Sequence, residues 1–156
     1  MRIGVISDTH GDQAAIRKAI KVISKVDIWL HAGDCSQDGE YLASLVEVPV
    51  IAARGNCDGH VAAKIDEFLE VAGKKIWLTH GHRYGVKGGT RDLVEWGKQY
   101  EMDIVIYGHT HVPDNRWQEG MFLFNPGSAT YGRATCGILE IDHEGQVSGD
   151  IILLNS

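Results

Sequence analysis

The sequence predicts a single α/β domain in which two mixed sheets pack together with helices outside them. In the first third of the chain, short apolar runs alternate with helical patterns, which is typical of a parallel sheet with right-handed crossovers. Further along, pairs of strand-like runs flank tight turns, which adds antiparallel strands. Because so many strands in 156 residues would make one very wide sheet, two packed sheets are expected. No repeat or linker divides residues 1–156 into further domains.

The first third is predicted to contain three buried strands and two helices. The strands cover residues 2–7, 27–32 and 49–53, and the helices cover 13–25 and 40–46. The first helix carries its apolar side chains on one face and its basic side chains off that face. Asp12, just before it, is the predicted N-cap.

The later part of the chain breaks the strand–helix alternation. Two strands at 67–71 and 75–79 are joined by a tight turn, and a helix at 91–100 leads into a strand at 103–107. The last third is predicted to form two hairpins, with strands at 115–118, 121–124, 136–142 and 146–154. A loop of Asn125-Pro126-Gly127-Ser128 separates the two hairpins.

Composition excludes several classes of protein. The formal net charge is −6 and no basic run stands out, which argues against binding to nucleic acid through a general surface charge. The three cysteines form no Cys-x-x-Cys pair, which favours a reducing compartment. Met1 leads directly into a strand, so no signal peptide is predicted, and no apolar stretch approaches the ~20 residues that span a bilayer. We therefore expect a cytoplasmic protein with no membrane partner.

Five predicted strands end in side chains that bind metal ions in proteins. These side chains are Asp8 with His10, Asp34, Asn56, His80, and His109 with His111. In α/β folds, ligands lie at the carboxyl ends of the strands. A random scatter would place some of these residues inside helices or at strand starts. The pattern therefore predicts a metal site at this edge of the sheet.

The segment Tyr107-Gly108-His109-Thr110-His111 follows directly after the apolar run at 103–106. Gly108 is expected to let the backbone turn sharply. On an extended segment the two histidines would point the same way, and imidazole is a common metal ligand. Taken alone, the segment also fits two solvated loop histidines; the other four strand ends favour metal ligands.

Seven candidate ligands are too many for one ion of ordinary coordination number. They suit two ions that share one ligand, and a carboxylate can bridge through its two oxygens. Nitrogen and oxygen donors without thiolate fit Mn, Fe, Ni or Zn better than Ca or Mg. Two ions ~3.5–4 Å apart form a clamp for displacement at phosphorus. The predicted partner is therefore a small phosphoester substrate.

Together these motifs resemble the calcineurin-like metallophosphoesterase superfamily. The motifs that carry the resemblance are Asp8-x-His10, Gly33-Asp34, Gly55-Asn56-x-Asp58, His80, Gly108-His109-x-His111 and the loop at 125–128. The short length and the form Gly-Asn-Cys-Asp look like its small prokaryotic phosphodiesterase branch, the YfcE type. The resemblance implies a four-layer α/β/β/α sandwich. It also implies phosphoester hydrolysis by a metal-held hydroxide, commonly with manganese or nickel. Our preferred prediction is a phosphodiesterase in which a metal-bridging hydroxide attacks phosphorus.

The resemblance also implies a role for each ligand. Asp8, His10 and His111 would bind the first metal, and Asp34 would bridge to the second. Asn56, His80 and His109 would complete the second metal, and Asn56 would also touch the substrate phosphate as a catalytic residue. Separately, Arg54 is a candidate for binding the phosphate, because a guanidinium matches its geometry.

Several alternatives stay open. The sequence barely separates a phosphodiesterase from a metal-dependent phosphomonoesterase. A third alternative is a non-catalytic interaction scaffold of the same fold, as in the retromer scaffold subunit, where the ligand set is incomplete. Many superfamily members carry histidine after the asparagine as the presumed acid for the leaving group, and Cys57 stands there in this chain. His82 and Arg83 are candidates for either a phosphate contact or a structural role, and His31 is predicted to be structural.

Overall fold

The computed structural model describes residues 1–35, 37–58 and 63–154. Within these ranges the strands are β1 (Arg2–Ile6), β2 (Ile28–His31), β3 (Val50–Ala52), β4 (Asp66–Val71), β5 (Lys74–Thr79), β6 (Ile104–Ile106), β7 (Asp114–Gln118), β8 (Met121–Asn125), β9 (Thr135–Ile141) and β10 (Val147–Leu153). The α-helices there are α1 (Gln13–Ile23), α2 (Gln37–Leu45) and α3 (Arg91–Gln99). Short 3-10 turns at His82–Tyr84 and Val86–Gly88 precede α3.

The strands form two mixed five-stranded sheets, which confirms the predicted architecture. The first sheet has the order β10-β9-β1-β2-β3, with β1, β2 and β3 parallel and the β9–β10 hairpin antiparallel beside β1. The second has the order β4-β5-β6-β8-β7, with β5, β6 and β8 parallel and antiparallel strands at both edges. The chain completes the second sheet before β9 and β10 return to the first.

Three buried clusters hold four layers together. The cluster between the sheets includes Ile3, Val5, Leu30, Ile76, Ile104 and Phe124. On the outer face of the first sheet, Trp29 packs with residues of α1 and α2, including Ile16, Ala19, Ile23 and Leu42. On the outer face of the second sheet, Trp77, Val105 and Leu123 pack with Leu93 and Val94 of α3. The layers therefore run helix, sheet, sheet, helix, as the resemblance implies.

The starts of α1 and α2 test two predictions made from the sequence. The Asp12 carboxylate accepts the Ala15 N–H at 3.0 Å, which confirms it as the N-cap of α1. The prediction that α2 begins at Glu40 was wrong, since the helix begins at Gln37 and includes Gly39. Glycine inside a helix lowers the stability of that helix. At position 39, however, a larger residue would not fit, because a Cβ on Gly39 would lie 2.9 Å from the Ala52 side chain. The glycine lets α2 pack closely against β3.

Among the helices of the described ranges, none has both the length and the apolar character needed to cross a membrane.

Candidate metal centre

Six titratable side chains gather at the carboxyl ends of strands from both sheets. They form two groups, in each of which the candidate ligand atoms lie within 4.8 Å of one another: Asp8, His10 and His111 in one, and Asp34, His80 and His109 in the other. Asp8 and Asp34 follow β1 and β2 of the first sheet, whereas the last three histidines follow β5 and β6 of the second. The groups meet where the two sheets end side by side.

Asp8 is buried and presents one carboxylate oxygen to the site. Its Oδ2 accepts hydrogen bonds from Ser7 Oγ at 2.6 Å and from the His109 N–H at 3.1 Å. Its Oδ1 has no hydrogen-bond donor within the described part of the chain and lies 3.2 Å from His111 Nε2 and 3.8 Å from His80 Nε2. A buried carboxylate oxygen without a donor is costly unless a cation faces it. This arrangement fits a metal ion.

Asp34 faces both groups through a single oxygen. Its Oδ1 accepts the Cys57 N–H at 3.0 Å, while Oδ2 lies 3.3 Å from His80 Nε2 and 3.9 Å from His10 Nε2. Burial raises the pKa of Asp34, but the hydrogen bonds from His80 and the Cys57 N–H outweigh burial and hold this pKa well below its usual range. One hydrogen bond at Oδ1 leaves a lone pair on that oxygen, so the expected bridging by Asp34 stays a prediction.

His80 is oriented from behind by the backbone. Its Nδ1 donates to the Ala32 carbonyl at 2.8 Å, which leaves Nε2 directed at the carboxylates and 3.2 Å from His109 Nδ1. Burial lowers the pKa of His80, but the hydrogen bond with Asp34 and the charges of Asp8 and Asp34 together raise this pKa by more, so the net shift is upward. Burial and the neighbouring His80 lower the pKa of His109.

His109 and His111 are placed in the site by a left-handed backbone conformation, which was not predicted from the sequence. The premise of an extended segment was wrong, because the two residues have φ of 72° and 63°. Asp8, His10 and Asp34 also have positive φ, so five of the six grouped residues lie in the left-handed region. Each such residue costs on the order of 1 kcal/mol or more, and such strain gathers at functional sites. The backbone conformation, not alternation along a strand, directs the two rings into different groups.

Two glycines let loops approach the carboxylates closely. A Cβ on Gly108 would collide with Ser7 Oγ and lie 2.7 Å from Asp8 Oδ2. The backbone bends directly after Gly108, where the Thr110 N–H donates to the Gly108 carbonyl at 2.9 Å. Gly108 does not have positive φ, so the close approach is what requires a glycine here. A Cβ on Gly55 would likewise collide with Asp34 Oδ1 and lie 2.5 Å from the Asp34 backbone nitrogen.

Arg54 and Asn56 flank Gly55 in the turn after β3. Arg54 is half-buried and donates its backbone N–H to the Lys64 carbonyl at 2.7 Å, and Asn56 is exposed. Within the described ranges neither side chain makes a hydrogen bond or an ion pair. Their roles therefore stay predictions. Asp58 accepts the Gly55 N–H at 2.6 Å and helps to close the turn.

Cys57 and His82 border the two groups. The Cys57 thiol is exposed, and both its partial burial and the nearby Asp34 raise its pKa. The His82 ring lies 5.5 Å from the His80 ring, and burial together with His80 lowers the pKa of His82. Because its pKa is raised, the Cys57 thiol is protonated at neutral pH and is a weak acid.

A buried network ties together the loops after β1 and β2. The His31 Nδ1 accepts the Gly33 N–H at 3.1 Å, which leaves Nε2 to donate to Thr9 Oγ1 at 2.9 Å. The Thr9 hydroxyl in turn donates to the Asp38 carboxylate at 2.5 Å. His31 is thus a hydrogen-bonded structural residue, as predicted.

Asn125 and Ser128 hold the ligand loops from the far side, and neither was predicted from the sequence to do so. Asn125 donates through its side-chain amide to the Gly108 carbonyl at 3.2 Å and to Thr110 Oγ1 at 3.0 Å. Ser128 Oγ donates to the Asp8 carbonyl at 2.9 Å. The loop at 125–128 was visible in the sequence, but nothing in its pattern indicated these contacts.

We expect Asn125→Ala to reduce activity by about 10- to 100-fold, the scale on which residues that orient metal ligands act. The matched control is Asn115→Ala, which also removes a side-chain bond to a backbone carbonyl, that of Gly149 at 2.7 Å, but lies on β7 outside the ligand loops. Metal-dependent turnover and thermal unfolding would be measured for both variants. Equal activity of the two would show that Asn125 does not position the ligands.

Comparisons with known proteins match this chain to one family. The family model of the calcineurin-like phosphoesterase superfamily domain matches residues 1–144. A "Probable metallophosphoesterase" of Methanothermobacter thermautotrophicus is 37% identical over 152 residues, covering 92% of this chain and 88% of the relative. The phosphodiesterase YfcE of Escherichia coli K12 is 29% identical over 170 residues, covering 91% and 89%.

Solved structures share the fold across nearly the whole chain. A predicted phosphoesterase from Streptococcus pneumoniae has a TM-score of 0.83 at 26% identity, covering 99% of this chain and 90% of that one. Vps29 of Entamoeba histolytica, in complex with zinc, has a TM-score of 0.76 at 23% identity, covering 99% and 100%. At that identity the likeness to Vps29 shows the fold alone.

Proposed function

The chain belongs to the calcineurin-like phosphoesterase superfamily and is a metal-dependent phosphoesterase, and from this premise we propose that it hydrolyses phosphodiesters with two divalent ions. The arrangement of Asp34 carries the proposal. Its Oδ2 lies near ligand atoms of both groups, at 3.3 Å from His80 Nε2 and 3.9 Å from His10 Nε2. One oxygen in that position would serve two ions.

In this proposal each group holds one ion. The first would be held by Asp8, His10 and His111, the second by His80, His109 and Asn56, and Asp34 would be shared. Because the donors are imidazole, carboxylate and amide without thiolate, Mn or Ni suits the site, and Fe or Zn would also fit. Bound ions would supply a bridging hydroxide as nucleophile and would neutralise the charge on the phosphoryl group.

The protein residues around the ions would bind and orient the substrate. We propose that Asn56 and Arg54 contact the phosphate from the turn after β3, since both leave donors free in the described ranges. The partner in this proposal is a small phosphoester and not a nucleic acid held by surface charge. The cysteines Cys35, Cys57 and Cys136 are all unpaired, which supports the proposal of a reducing, cytoplasmic setting.

Two alternatives are separated from this proposal by specific observations. A phosphomonoesterase would use the same ligands, and the name of the E. coli relative favours the diester. An interaction scaffold shares the fold, as Vps29 of E. histolytica does. Both complete Asp/His groups favour catalysis over a scaffold role.

The deciding experiment is an assay of an aryl phosphodiester and its matching monoester with Mn, Ni, Zn, Mg and a chelator. Aryl esters are chosen because Cys57 takes the place of the histidine that many superfamily members carry as the presumed acid for the leaving group. Since a thiol is a weak acid, we propose that esters of acidic alcohols are cleaved best. We expect metal-dependent turnover with the diester preferred. A preference for the monoester would favour the first alternative, and no turnover with any metal would favour the scaffold.

We expect metal affinity to fall as pH falls. The raised pKa of His80 means that the metal-free protein keeps a proton on this ring to a higher pH than free histidine does, and an ion must displace that proton. Below the pKa of His80, each pH unit should therefore weaken binding by about tenfold. Calorimetric titration of metal-free protein with Mn between about pH 8 and about pH 6 would measure this. An affinity that stays constant over that range would contradict a role for His80 as ligand.

A further inference from the structure

A surface groove of about 280 Å³ begins at the candidate metal centre. Its lining includes the apolar side chains of Val112, Pro113, Tyr131, Ile151 and Leu153. His111 also lines the groove, and the same side chain belongs to the Asp8 group. The groove is therefore continuous with the site and is not a separate surface feature.

The walls of the groove are apolar and exposed. Val112 is 63% exposed, Tyr131 is 50% exposed and Leu153 is 42% exposed. Single exposed apolar side chains are ordinary, but three around one groove indicate a binding surface. The Tyr131 ring also stacks on the His111 ring, with centroids 5.3 Å apart and an interplanar angle of 18°. A flat face thus extends from the metal ligands into the groove.

The volume and the charge of the groove restrict the class of ligand that would fit it. Pockets for whole drug-sized ligands occupy about 300–1,000 Å³, so a groove of about 280 Å³ suits a single ring system. The described lining contains Arg133 and no acidic residue. Arg133 makes no hydrogen bond or ion pair within the described ranges. The groove therefore favours part of an anionic substrate over a cation.

We propose that this groove binds the organic group of the phosphoester, and that this group is a planar apolar ring. The proposal rests on the proposed function, because it takes the phosphoryl group to lie at the two Asp/His groups. Tyr131, Ile151 and Leu153 are then specificity-determining residues. They contact the ring and leave the chemistry at phosphorus to the metal centre.

The test is the binding of two phosphonates that differ only in the ring. Phenylphosphonate and methylphosphonate would be titrated calorimetrically into Mn-loaded protein. We expect phenylphosphonate to bind about tenfold more tightly, because its ring removes apolar surface from water. Leu153→Ser should reduce that ratio to about threefold or less while leaving the affinity for methylphosphonate unchanged. The matched control is Leu45→Ser, at a leucine that is 44% exposed on α2 and does not line the groove.

The outcomes separate this proposal from the proposed function. Equal affinities for the two phosphonates, or a ratio that Leu153→Ser leaves unchanged, would overturn the groove proposal even if the protein hydrolyses diesters. Loss of the ratio in Leu45→Ser as well would also overturn it. A ratio that responds only to Leu153→Ser, in protein that hydrolyses neither ester, would support the groove and refute the phosphodiesterase.

Discussion

Replacing Asp34 with asparagine is expected to reduce turnover by on the order of 10³-fold or more, the upper end of what removing one fixed electrostatic contributor costs. The amide keeps the shape of the side chain and can still accept the Cys57 N–H that now bonds to Oδ1. It removes the charge from Oδ2, the oxygen that lies near both His10 and His80. The variant should therefore fold and yet bind fewer than two ions per chain. Turnover, elemental analysis and thermal unfolding would measure these effects.

A matched control exists at the opposite end of the same strand. Asp27 precedes β2 and accepts the Arg2 N–H at 2.7 Å, just as Asp34 follows β2 and accepts a backbone N–H. Asp27→Asn should keep full activity and both ions, because it lies far from the carboxyl ends of the strands. Turnover of Asp34→Asn near that of Asp27→Asn would refute a shared carboxylate.

Replacing Gly55 with alanine is expected to damage the site although no ligand residue is replaced. The added methyl group would collide with Asp34 Oδ1 and lie 2.5 Å from the Asp34 backbone nitrogen, which cannot rotate away. The turn after β3 must then shift. Overpacking of this kind costs about 1–3 kcal/mol of stability. A displacement of catalytic groups by about 1 Å costs about 100-fold in rate. Chemical denaturation and metal-dependent turnover would measure the two losses.

Gly88 is the matched control for this substitution. Apart from its chain neighbours, no atom of the described residues lies within 4 Å of where a Cβ on Gly88 would be. Gly88→Ala should therefore change stability by less than about 1 kcal/mol and leave turnover unchanged. If Gly55→Ala behaved like Gly88→Ala, the close approach of the turn to Asp34 would have no functional consequence.

Local sequence patterns were sufficient for the elements of the fold and for the position of the site. Strand and helix periodicities are set by neighbouring residues, so the two mixed sheets and the capping of α1 by Asp12 could be predicted. The metal-binding residue types could also be recognised, because each follows an apolar strand. Parallel strands bring their carboxyl ends to one edge, so residues distant in the chain were expected to meet there.

The stacking of the two sheets decides which candidate ligands lie next to each other. Asp34 comes from the first sheet and His80 from the second, and no spacing along the chain encodes the 3.3 Å between them. The same holds for the contact of Asn125 with the loop after β6 and for the stacking of Tyr131 on His111. The left-handed backbone at His109 is likewise held from a distant segment, because the His109 N–H donates to the Asp8 carboxylate at 3.1 Å. Local preference sets the elements, whereas contacts between distant segments set the conformation and grouping of the ligands.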